Sequence, residues 1–430
     1  MTDSNRRSFV AATAAVGTLG VAGCLSTIDG WGDGGDGEGT GDHDDNDSER
    51  NGDDTREFHY HSADELPGET LVSFDDLDGW VTMLDAGDLD ADEDDPYSGP
   101  QSASLTAAEG TEYAGIYTTR SGGEDLSDST LSLAVRFAEQ EQLVLTLELF
   151  APNSSSAATL RRTLIGPTDR WTRVDFGTAG IDGEPDLSNV REIRLTARRR
   201  GATDGPIDCA IDDLRVAPRP DRGKVMLLFD GTLESHHEIA LEALSEYDFA
   251  GVEAVIPETV GNDGRLSLTQ LDDLVEAGWD VAARPRTGAQ NITDYSDTEQ
   301  EGLIRQTNAW LENRGFEDGT ATFLTPRNVM GPTTRNLVEE YHDRAFRYGG
   351  GTNGLPISDP YNLGFFSGNA GEDTRTYVDH AAAHGELAVL HFEEMGPNSM
   401  SELAFENLLS YIDDADVDVV TTADLDEYEP

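Results

Sequence analysis

Apolar and polar positions change rhythm along the chain. Between 67 and 217, short runs alternate with a period of two: 104–106, 113–117, 131–137, 143–149, 170–176, 192–196 and 211–216. Gly, Asp, Ser and Pro clusters separate them, and no long helical period intervenes. Alternation of this kind turns one side of each run toward a core and predicts the strands of an antiparallel sandwich. Pro218, Pro220 and Gly223 mark a linker. Beyond it, 225–229 is an unbroken apolar run, as a strand covered on both faces requires. Further strands are predicted at 252–256, 279–283, 321–324, 345–348, 387–391 and 417–421. Helices are predicted at 235–247, 268–277, 297–314, 333–342, 374–384 and 399–414. Strand–helix alternation over this length predicts a parallel sheet wound or closed by helices, with its chemistry just past the strands' C-terminal ends.

The first residues carry a different pattern. Arg6 and Arg7 precede an uncharged Ala/Gly-rich apolar run, 10–22, that ends in Val21, Ala22, Gly23 and Cys24. The run is short for a membrane span. Arginine pair, apolar run and small residues before a cysteine, in that order, resemble a twin-arginine lipoprotein signal of the haloarchaeal type. The resemblance implies export in a folded state and lipidation at Cys24. The protein is then expected on the extracellular face of the cell membrane, held by that lipid anchor. Segment 25–66 is rich in Gly and Asp and holds too few apolar residues for a core, so it is expected to be a disordered, self-repelling tether.

With 430 residues the chain suits two domains plus tails rather than one core. Its 85 acidic residues against 29 basic ones give a formal net charge of -56, and Lys224 is its only lysine. Such a balance excludes a nucleic-acid backbone as partner and suits solvation at high salt. Cys209, the second cysteine, is expected to be a small buried hydrophobe rather than the partner of Cys24 in a disulfide.

Phe74, Asp75, Asp76, Gly79 and Trp80 at one end of the sandwich segment, and 211–216 at the other, resemble the first and last strands of jelly-roll carbohydrate-binding modules. That resemblance implies a glycan as partner and a structural calcium held by Asp75 and Asp212, hard oxygen donors on two strands. Plain surface acids are the alternative reading of both residues. A sugar platform would need a flat aromatic face from Trp80, Tyr97, Tyr113, Tyr117 or Trp171, which equally fit a core.

The C-terminal segment is similar, over 224–428, to the polysaccharide deacetylase family with its irregular (β/α) barrel. The similarity is carried by five stretches: 228–232, ending the first strand in Phe229, Asp230 and Gly231; 278–285; 322–327; 387–391; and 417–425. The fold expected is therefore multidomain, an all-β jelly-roll sandwich at 67–218 followed by an α/β irregular barrel of deacetylase type at 219–430. The resemblance implies metal-assisted amide hydrolysis of an N-acetylated polysaccharide. An aspartate acts there as general base, a second aspartate and two histidines hold Zn²⁺ or a similar ion, and a late histidine acts as general acid.

Asp230 matches the base and His391 the acid. Gly231 stands where the metal-binding aspartate belongs, Arg284 at the first metal histidine and Gly288 at the spacing of the second. Leu324 replaces the arginine that orients the base, and Arg327 a tyrosine. All three metal ligands are thus absent, and Arg284 adds a fixed positive charge that would repel a cation and neutralise Asp230. No metal of the family type is expected, and Arg284 and Arg327 become candidates for contacts to glycan. Replacement ligands would have to come from residues such as His236, with His237, Glu234, Glu238, Glu393 and Glu394 nearby; ordinary polar residues of a helix start are the other reading. Three functions stay open: a deacetylase with weak or no activity, a non-catalytic glycan-binding protein, and a structural envelope protein.

Overall fold

The computed structural model describes residues 66–138, 142–200, 205–397 and 399–429. Cys24, the signal segment and most of the acidic tether lie outside them. The described residues from 66 onward belong to one compact unit. Two antiparallel sheets of six strands each form the sandwich. Its core is lined by inward-facing residues such as Leu105, Ile116, Leu133, Leu147 and Ile211, which occupy alternate positions on their strands. Cys209 is buried among them and free.

The second domain is a parallel barrel. Its strands are, in chain order, Gly223–Asp230, Val252–Val255, Asp280–Ala283, Thr322–Leu324, Arg344–Tyr348, Leu363–Ser367, Leu387–Phe392 and Val417–Val419. The first seven close into a ring, and the eighth pairs with the start of the first. Helices Leu268–Glu276, Asp297–Arg314, Pro332–Tyr341, Glu372–His384 and Glu402–Asp414 cover the outside. Two helix starts carry reciprocal capping boxes, Ser267 with Gln270 and Ser296 with Glu299.

The alternation of each strand sorts its side chains. Val225, Leu227 and Phe229 join the outer layer beneath the helices, while Met226 and Leu228 fill the barrel interior. Asp230 continues the inward phase at the strand's C-terminal end. The seventh strand behaves alike: Ala388, Leu390 and Phe392 pack outward, Leu387 and Val389 inward, and His391 lies in phase with the latter.

Two expectations are corrected. The helix predicted over 235–247 is a π-helical turn, His236–Leu241, followed by one short α-helical turn, Glu242–Ser245. Between the fifth and sixth strands the strand–helix alternation breaks. The sixth strand, Leu363–Ser367, follows an irregular loop with only a short 3₁₀ turn, Pro360–Asn362. The sandwich covers this place instead of a helix. Arg162, fully buried, donates to Asn353 Oδ1 at 2.8 Å and to the Asn362 carbonyl. Asp175 accepts from the Ser358 amide at 3.0 Å and from its hydroxyl. Asp359 receives Arg335 at 2.8 and 3.1 Å and the Arg173 amide at 3.3 Å. Glu386 accepts the amide and hydroxyl of Thr178 and the hydroxyl of Thr352. Sandwich and barrel therefore share a buried, hydrogen-bonded polar interface, where an unmade bond would cost about 1–3 kcal/mol.

Candidate functional site at the barrel mouth

Strand phase brings Asp230, Arg284, Leu324, Tyr348, Phe365 and His391 to the C-terminal mouth of the barrel. Asp230 sits between Arg284 and His391. Arg284 Nε lies 3.2 Å from one carboxylate oxygen and donates to the other at 3.5 Å, while Arg284 Nη1 is held by the Pro285 carbonyl at 2.9 Å. His391 Nε2 lies 3.6 Å from the same carboxylate, and its ring stacks on Phe365 at 4.3 Å between centroids. Burial alone would push the Asp230 carboxyl up, but Arg284 and then His391 outweigh it and hold the group at about 2. A carboxylate with so low a pKa is a weak proton acceptor at neutral pH.

The turn after Asp230 is fixed in an unusual shape. Gly231 has a φ of +115° and Thr232 a φ of +56°, the latter a costly value for a β-branched residue. Buried Thr232 is clamped from three sides. Its amide donates to Glu253 Oε1 at 3.1 Å, its hydroxyl accepts the Ile256 amide at 2.7 Å, and its carbonyl accepts the Leu266 amide at 3.0 Å. Arg265 Nη1 donates to the Gly231 carbonyl. Any side chain at 231 would meet a strained backbone, so an aspartate there is disfavoured by conformation as well as absent from the sequence.

The remaining expected positions separate. Gly288 is exposed with open space around it. Leu324 is buried in the barrel interior. Arg327 is exposed on a turn with φ +55°, and Asn328 beside it accepts the Tyr348 amide through Oδ1 at 3.1 Å. His236 cannot serve as a replacement ligand as placed. It lies in the outer layer, fully buried, with Nδ1 2.8 Å from Glu253 Oε2 and Nε2 2.9 Å from the Glu393 carbonyl. Burial pulls its pKa down, but Glu253 and the Glu393 carbonyl together raise it above the ordinary value. His237 pairs with Asp273 at 2.9 Å. Glu393 and Glu394 are exposed.

The donor set therefore does not fit a divalent ion: the one retained carboxylate is engaged by a guanidinium, and among the described residues no three His, Cys, Asp or Glu side chains converge on a point. In the sandwich, Asp212 is buried, and its oxygens accept the Ser98 amide at 2.9 Å and the Asp213 amide at 2.7 Å; Asp75 is exposed. Trp80 and Trp171 are buried. Trp80 stacks on Phe74, and Trp171 meets the edge of half-buried Tyr97. Tyr113 and Tyr117 are half-buried.

Sequence reasoning missed Arg265, Glu253, Tyr348 and Phe365, and it missed Arg200, whose guanidinium reaches from the sandwich to 4.2 Å over the Tyr348 ring. The inward phase of the sixth strand would have pointed to Phe365, had that strand been recognised.

No family model and no curated protein matches the chain. Among solved structures, the Xyl-CE4 domain of a multidomain xylanase from the hindgut metagenome of Trinervitermes trinervoides is 18% identical with a TM-score of 0.36; the likeness covers 48% of this chain and 90% of that one. A CE4 family pseudoenzyme from Bacillus anthracis is 13% identical, TM-score 0.36, over 49% and 67% of the two chains. A family 11 carbohydrate-binding module from Clostridium thermocellum, in complex with a mixed-linked tetrasaccharide, is 11% identical, TM-score 0.28, over 36% and 96%. At these scores none of the likenesses assigns a function.

Proposed function

We propose that this chain is an exported, lipid-tethered glycan-binding protein, related to polysaccharide deacetylases, whose barrel has given up metal-dependent amide hydrolysis. One observation carries the reading: Arg284 lies where a metal ligand would be needed and forms an ion pair with Asp230. The charge that would have been balanced by a cation is balanced by the protein itself. The strained turn at Gly231 and Thr232 supports it, because it opposes restoration of a second carboxylate. The motifs around 228–232 and 387–391 supply the family reading, and the jelly-roll resemblance of the segments at 74–80 and 211–216 supplies the glycan.

The reading is tested with the purified protein and an N-acetylglucosamine oligomer, by calorimetry and by an acetate assay, with added Zn²⁺ and with EDTA. Binding of equal strength in both conditions and no acetate are expected. Metal-dependent acetate release would revive the alternative, a working deacetylase, for which the retained juxtaposition of His391 and Asp230 speaks. The anchor is tested separately: Cys24→Ser should release the protein from the membrane fraction, and lysine at both Arg6 and Arg7 should block export.

A further inference from the structure

We infer that the outer face of one sandwich sheet and the barrel mouth form a single track for a glycan strand, so that the ligand is recognised as a polymer and not by a short end. The inference rests on the glycan-binding reading and specifies its ligand. The two outer faces of the sandwich differ. One is closed: Ala134, Ala210 and Trp171 are buried there with Tyr97 packed against them. The other belongs to the sheet whose central strands are Ala114–Glu124, Val190–Arg199, Gln142–Phe150 and Ala157–Ile165. Register sets its outward side chains in rows across these strands. Tyr117, Arg194, Glu148 and Thr159 stand side by side; Thr196, Thr146 and Arg161 form the next row, and Arg198, Val144 and Thr163 the third. All of these but Val144 and Thr163 are half-buried or exposed.

The rows lead to the barrel mouth. The chain rises about 20 Å between Arg194 and Arg200. Arg200 continues the outward phase, its amide donating to the Gln142 carbonyl at 3.3 Å, and its guanidinium lies 4.2 Å over the Tyr348 ring. On the third row, the Thr163 amide donates to the Gly349 carbonyl at 2.9 Å, so the sheet passes directly into the barrel residues that follow Tyr348. Between ring centroids, Tyr348 meets the edge of Phe365 at 6.4 Å and Phe365 stacks on His391 at 4.3 Å. His391 lies 3.6 Å from Asp230. The floor is therefore continuous from Tyr117 on the sandwich to Asp230 in the barrel. Its chemistry suits a sugar chain. Thr146, Thr159 and Thr196 supply hydroxyls, Arg194 and Glu148 adjoin as donor and acceptor, and Tyr117 and Tyr348 supply ring surface with a polar end. A protein partner would require an apolar centre, and threonine and charge occupy the centre of these rows.

The test measures, by calorimetry on the intact protein, affinity for the dimer, tetramer and hexamer of N-acetylglucosamine. Affinity should rise at each step, with the hexamer binding about tenfold tighter than the dimer or better. Arg194→Ala removes a polar contact from the first row, and Thr196→Glu obstructs the second; both lie away from the mouth. Each should abolish most of the hexamer's advantage while the thermal melt is unchanged, and Arg305→Gln, on an outer helix, should leave that advantage intact. Equal affinity for dimer and hexamer, or an advantage untouched by both sheet substitutions, overturns the inference and leaves the glycan-binding reading standing. Failure of every oligomer to bind overturns both.

Discussion

At Asp230, Arg284 and then His391 outweigh the burial that would otherwise raise the carboxyl's pKa. Its folded pKa of about 2 lies below its ordinary 3.8, so its contribution to stability is present above the ordinary value and is lost as pH falls through about 2. Replacing Arg284 by alanine leaves a mostly buried carboxylate facing only His391. The Asp230 pKa should then rise, as a carbon-detected carboxylate titration would report, and the protein should lose about 3 kcal/mol at neutral pH in urea unfolding. An unchanged titration would mean that His391 alone sets the group. Asp230, His391 and Arg284 were legible in the sequence because each sits at a fixed offset from the end of an apolar strand. Arg265 and Arg200 were not, because their approach depends on a loop and on a second domain, which leave no local periodicity.

Among the elements, the turn at 230–232 shows how the outer layer supports the inner one. Glu253 lies on the outward phase of the second strand, yet one of its oxygens holds the Thr232 amide and the other pairs with His236 on the π-helical turn. Glu253→Gln keeps the volume but removes the charge that stabilises protonated His236. Because that histidine's pKa is raised by folding, the stability it adds is full below its unfolded value and is lost as pH rises through the folded one. The variant should therefore be about 2 kcal/mol less stable at pH 5 and lose less at pH 9, as measured by denaturant midpoints. The helical period over 235–247 was visible in the sequence; its π register was not, since it follows from seating His236 between Glu253 and the Glu393 carbonyl. The sixth strand was hidden because the preceding connection has no helix to announce it.

For the molecule as a whole, the sandwich does the work of a missing barrel helix, so the two domains should unfold together. A protease cut engineered within 219–222 should leave both fragments co-eluting on gel filtration, and calorimetry of the intact chain should show one transition; two separated transitions would contradict the shared interface. Glu386 at that interface gives a pH signature. Burial, only partly offset by the hydroxyls of Thr352 and Thr178, lifts it from 4.5 to about 7, and Asp175 is lifted likewise to about 6. For a group raised in this way, stability is full below the unfolded pKa and falls as pH rises through the folded one. Glu386→Gln should flatten the decline in melting temperature between pH 4.5 and 7 and be the more stable protein at pH 8. The alternating strands of the sandwich and the strand–helix alternation of the barrel were readable from periodicity; the joint between them was not, because Arg162, Asp175, Arg335 and Asp359 look like ordinary surface charges until the sheets meet.

The ion pair between Arg284 and Asp230 is the central claim, and calorimetric titration of Zn²⁺ into the metal-free protein tests it most directly. No saturable site is predicted at the barrel mouth, and Asp230→Asn should leave the titration unchanged. A one-to-one site that vanishes in Asp230→Asn would contradict it.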